Sequence, residues 1–108
     1  QLAARYELFA KRHLLSAQTI YQGFVDAGIL RMTPAQVEAL AVNAWIVMTS
    51  WVPFLCTLGG GEDRGMDRNM LRRGIFQLLA LEEGFVTDEA RPAVSGLLAK
   101  LHAPILPG

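Results

Sequence analysis

Residues 39–58 read "ALAVNAWIVMTSWVPFLCTL", twenty positions without one charged side chain and with two tryptophans. A run of about twenty apolar residues is long enough for a helix to cross the hydrocarbon core of a bilayer. The polar residues in and beside it argue for a different use. Gln36, Asn43, Ser50 and Thr57 recur every seventh position and form one narrow stripe along a helix, and Pro53 interrupts the run. Two apolar faces flank that stripe, one with Ala41, Trp45, Met48, Val52 and Leu55, the other with Leu40, Ala44, Val47, Trp51, Phe54 and Leu58. No Lys or Arg stands close on the N-terminal side to set a membrane orientation. A helix that is apolar almost all round either spans a membrane or lies at the centre of a packed body, and its neighbours favour the centre.

Those neighbours read as ordinary amphipathic helices. Leu2, Tyr6, Phe9, Ala17, Ile20, Phe24 and Ala27 follow a spacing of three and four, with Lys11, Arg12, Gln18 and Gln22 on the other side. Gly28 in "DAG" suits the left-handed residue that closes a helix. In "MTPAQV", Thr33 is the N-cap, Pro34 the first helical residue, Gln36 the capping-box partner and Met32 a staple against Val37. The central helix therefore runs from Pro34 to about Leu58, with a bend expected near Thr49 from the hydrogen bond that Pro53 removes. "GGGEDRG" at 59–65 is a glycine-rich connection. A third helix opens at Asp67 as N-cap and runs to Phe85, and a fourth starts at Thr87 and presents Val94, Leu97, Leu98 and Leu101 inward. "HAPILPG" is an extended tail. No alternating strand pattern occurs, so the expected fold is all-α, an antiparallel bundle of about four helices forming one domain over residues 1–108.

Composition leaves this domain with too much apolar surface. Of 108 residues, 52% are hydrophobic and 19% charged, against roughly 45–50% and about 25% in typical domains. A chain of this size hides only about two-thirds of its surface on folding, and large exposed apolar patches mark interfaces. Ten Lys and Arg balance ten Asp and Glu without a dense basic cluster, which excludes a grip on DNA by these residues alone. The single Cys56 fits a reducing cytoplasm. The chain opens on "QLAARYELFAKRH" without an initiator Met, so it is expected to continue upstream.

The third helix carries charges of the wrong sign for its dipole, Arg72 and Arg73 near its start and Glu82 and Glu83 near its end. An antiparallel second copy, with its axis near Gln77 and Leu78, would set each arginine pair against the partner's glutamates. Ala80 and Gly84 would allow close approach there, and Gly74 would do so within the chain's own fold. Alternatively, solvated charges of this kind contribute under about 1 kcal/mol per pair.

The order of pieces, a helix ending "YQGFVDAGILR", a capped "TPAQVEALAVNAWIVMTSWVPFL", a glycine-rich loop, "RRGIFQLLAL" and a short last helix, resembles the C-terminal domain of TetR-type bacterial transcriptional repressors. The resemblance covers nearly the whole chain and is closest from Tyr21 to Leu58. It implies a homodimer, with helices at Pro34–Leu58 and Asp67–Phe85 pairing as a four-helix bundle. Asn43, Val47 and Phe54 then join the charged and small residues of the third helix at the interface, where Asn43 would hydrogen-bond across a helix pair and fix register; its alternative is to face water. It also implies a small apolar effector, and an operator DNA bound only by a helix-turn-helix upstream of Gln1.

Phe9, Tyr21 and Phe24 of the first helix, with Trp45, Met48 and Trp51 of the second, are the candidate cavity lining, because large rings leave gaps and Tyr and Trp each add a polar group. An aromatic stripe at this spacing also serves as plain core. His13 is expected as a helix-surface or boundary residue and His102 in the tail. Two distant histidines and one cysteine make no metal site. No nucleophile elbow, phosphate loop or dinucleotide fingerprint occurs, so neither catalysis nor a cofactor is expected. Two alternatives stay open: a stand-alone helical adaptor, and a single-pass membrane protein inserting residues 39–58.

Overall fold

The computed structural model describes residues 2–58 and 67–105. Four α-helices carry the fold: α1 (Leu2–Asp26), α2 (Pro34–Leu58), α3 (Arg68–Glu82) and α4 (Arg91–Leu101), with a 3-10 turn at Glu83–Phe85 after α3. The glycine-rich connection at 59–65 and the end of the tail lie outside the described residues. Successive helices are spatial neighbours, α1 on α2, α2 on α3 and α3 on α4.

The boundaries follow from local chemistry. At Gly28 φ is +80°, and Gly28 N donates to Val25 O (3.0 Å) while Ile29 N donates to Phe24 O (2.9 Å), the paired bonds that close a helix through a left-handed residue. At the next start, Gln36 N donates to Thr33 Oγ1 (3.2 Å) and Thr33 N to Gln36 Oε1 (2.9 Å), a reciprocal capping box. Met32 packs against the core cluster that contains Val37. Asp67 caps α3 by accepting from Met70 N at 2.8 Å. Pro53 lies inside a continuous α2.

Two boundaries differ from the sequence expectation. Helix α3 ends at Glu82 rather than Phe85, and α4 begins at Arg91 rather than Thr87. The intervening chain is held by distant partners. Leu30 and Val86 form an antiparallel bridge, Arg31 N donates to Phe85 O (2.8 Å), Thr87 N to Ile29 O (3.0 Å) and Thr87 Oγ1 to Gly28 O (2.8 Å). Thr87 does open a turn, since its carbonyl accepts from Ala90 N and Arg91 N and its hydroxyl from Ala90 N at 3.4 Å, while the same hydroxyl and the amide also donate to the α1–α2 connection.

On α2 the buried residues Val37, Leu40, Ala41, Ala44, Trp51 and Leu55 run along the seam where the two apolar faces meet. The first four join Tyr21, Leu30 and Val86 in the main core. Trp51 and Leu55 form a second cluster with Met70, covered by Ile105. Gln36, Asn43, Ser50 and Thr57 are all exposed. Val42, Ile46, Val52, Phe54 and Leu58 are exposed too, so much of the helix's apolar surface has no cover within the chain.

Candidate ligand-binding cavity

A cavity of about 240 Å³ opens between the first three helices. Antiparallel α1 and α2 form two of its walls: α1 supplies His13, Ala17, Ile20, Tyr21 and Phe24, and α2 supplies Ala44, Trp45 and Met48. Helix α3 closes the third side with Leu78, Leu79 and Glu82. Ile20 and Met48 are half exposed, so the cavity is open to the surface on their side. A further ring, Phe9, stands edge-on to Trp45 with centroids 5.9 Å apart. The His13 ring lies 5.5 Å from the Trp45 ring, and its Nδ1 lies 3.1 Å from Phe9 O. Because a carbonyl only accepts, Nδ1 donates there.

Against this apolar lining Glu82 is the exception. It is 4% exposed, the one charged residue buried among the described residues. Its carboxyl makes no hydrogen bond or ion pair with any described residue. Burial raises its pKa above the ordinary carboxyl value. The Tyr21 phenol across the cavity is also raised, chiefly by burial and further by the charge of Glu82.

Of the residues that the sequence singles out for a cavity, Tyr21, Phe24, Trp45 and Met48 line it. Phe9 stands one ring behind. Trp51 does not reach it: its Nε1 donates to Met70 O at 3.0 Å, and it lines a smaller cavity of about 140 Å³ between α2 and α3. Sequence reasoning passed over His13, Ile20, Leu78, Leu79 and Glu82. The signal for Glu82 was present, since it follows Leu78 and Leu79 by four and three residues and therefore shares their face.

The residues expected between two copies are placed as follows. Asn43, Phe54, Arg72, Glu83 and Gly84 are exposed, and Val47, Gln77 and Ala80 are half-buried. The other two are already engaged within the chain. Glu82 faces the cavity, and Arg73 donates to Gln77 Oε1 (2.8 Å) and Ala103 O (2.9 Å) while its guanidinium lies 4.8 Å from the centre of the Phe76 ring. His102 packs edge-on against the same ring, centroids 5.1 Å apart, so the described start of the tail is docked on α3. Leu71 and Ile75, which the charge argument left out, are exposed apolar residues of α3.

Residues 1–94 match the family model for TetR, described as a bacterial transcriptional repressor. The fold is similar to the crystal structure of a TetR-family transcriptional regulator from Marinobacter aquaeolei VT8, with a TM-score of 0.80 and 32% identity over 94% of this chain. The match covers 47% of that regulator, so the chain spans about half the length of the solved relative. No curated protein matches it.

Proposed function

Because the chain belongs to the TetR family of bacterial transcriptional repressors, we propose that it is the effector-binding and dimerisation half of such a regulator, with operator DNA held by a helix-turn-helix outside these residues. The observation that carries this reading is the cavity walled by three helices and lined by rings and aliphatic side chains, the kind of site that takes a small apolar molecule. Its walls include α2 and α3, two helices with exposed apolar residues that a second copy would cover. An effector that wedges α1 away from α3 alters the surface through which two protomers meet, and with it the spacing of the DNA-binding heads. Only a difference in effector affinity between the two spacings shifts the equilibrium. The role is one of binding rather than catalysis, in the cytoplasm. Helix α2, the one described helix with the length and composition of a membrane span, serves here as core and interface.

The test uses the full-length protein. Selection from a random duplex pool is expected to return a two-fold symmetric site bound by a dimer, and an apolar compound shown by calorimetry to bind the protein is expected to release it. Failure to select any sequence overturns the repressor reading. Binding of the compound without a change in DNA affinity overturns the effector role of the cavity.

A further inference from the structure

The proposed effector cavity has a chemistry more specific than "apolar". We infer that its ligand is a lipophilic monocation, an aromatic or aliphatic body ending in an ammonium group, with the positive charge held at Glu82 and the body against Trp45, Phe24 and Tyr21. This deepens the reading of the cavity as an effector site and rests on it.

Glu82 is more than nine-tenths buried and belongs to the cavity lining. No described Lys or Arg lines the cavity to neutralise it, and no described residue hydrogen-bonds or pairs with its carboxyl. The residue is almost wholly covered while its carboxyl oxygens keep contact with the open space of the cavity, and a carboxylate so nearly covered is ordinarily paired or neutralised. Here the described residues supply no counterpart on the side that faces the open space. Burial holds the group toward its protonated form in the empty cavity, and a cationic ligand both replaces that proton and satisfies the charge. A neutral ligand leaves the charge unmatched, and an anionic one meets it head-on beside the Tyr21 phenol. The rings point the same way, because the negative face of an aromatic ring attracts a cation, and Trp45, Phe24 and Tyr21 line the same cavity as Glu82.

The test is calorimetric titration of the full-length protein with three probes that share one body: 2-(naphthalen-1-yl)ethylammonium, 2-(naphthalen-1-yl)ethanol and 3-(naphthalen-1-yl)propanoate. The ammonium probe is expected to bind at least tenfold more tightly than the alcohol, and the carboxylate most weakly. In Glu82→Gln the advantage of the ammonium over the alcohol is expected to disappear. The three-probe ranking on the unsubstituted protein stands without the variant. Alcohol binding as tight as ammonium binding, or an ammonium preference that survives Glu82→Gln, overturns the cation and leaves the cavity as an effector site. Absence of binding by all three probes overturns both.

Discussion

Glu82 shows how one buried group reports its surroundings. Its pKa in the fold is raised above the unfolded value of about 4.5 by burial. Between the two values the folded state binds more protons than the unfolded one, so stability falls as pH rises. The contribution is complete below pH 4.5 and lost as pH climbs through the folded pKa. The titratable residues sharing its cavity are Tyr21 and His13, both from α1. Glu82→Gln keeps the shape and removes the charge. Melting temperatures from pH 4 to 8 are expected to fall for the unsubstituted protein across this window and to stay flatter for the variant, which becomes the more stable of the two near pH 7. Parallel curves for the two proteins would show that the carboxyl is solvated. The sequence placed Glu82 beside Glu83 as a pair at the interface between two copies because it was read by charge. Read by position, the two diverge, since successive helical residues turn through about 100° and send Glu82 inward and Glu83 out.

The elements were legible where their signals are local. The Thr33–Gln36 capping box, the Asp67 cap and the Gly28 stop each depend on residues within four positions, and each formed as expected. The start of α4 was not legible, because Thr87 answers to Gly28 and Ile29 some sixty residues earlier, a pairing that a linear reading does not contain. Trp51 is a similar case: its aromatic stripe placed it on the cavity, whereas α3 carries a glycine where the indole must pass. A Cβ at Gly74 would stand 2.8 Å from Trp51 Nε1, the atom that donates to Met70 O. Gly74→Ala is therefore expected to destabilise by about 1–3 kcal/mol, as overpacking does, less the modest gain in helix propensity. In contrast, Gly96 in α4 has open space at its Cβ, and Gly96→Ala is expected to stabilise by about 0.5–1 kcal/mol. Urea denaturation of the two variants measures both signs. Equal effects would remove the claim that the α2–α3 contact is set by the Trp51 indole.

At the scale of the whole molecule the excess of apolar residues becomes a shape. The chain extends 44 × 42 × 17 Å with a radius of gyration of 15.6 Å, against about 13 Å for a compact domain of this length. Its accessible surface is 7475 Å², roughly 1,500 Å² more than the ~5,900 Å² expected of a compact monomer of its mass. A layer this thin has two broad faces and a narrow core. The exposed Phe54 and Leu58 of α2, with Leu71 and Ile75 of α3, therefore need cover from outside the chain. A second copy is the cover that self-complementary symmetry supplies most simply, and obligate homodimers bury roughly 2,000–5,000 Å² in total, enough to absorb the excess. Phe54 discriminates well, because it is 45% exposed in the single chain and central to the proposed interface. Light scattering after gel filtration in detergent-free buffer is expected to give twice the chain mass for the unsubstituted protein and the single mass for Phe54→Glu. The melting temperature is expected to rise with concentration for the unsubstituted protein alone, since association stabilises by mass action. Phe54 also stacks on Trp51 at 5.8 Å, so some loss of intrinsic stability accompanies the variant, but only the loss of concentration dependence reports the interface. A single-mass species for the unsubstituted protein would remove the dimer, and aggregation cured only by detergent would return α2 to a bilayer.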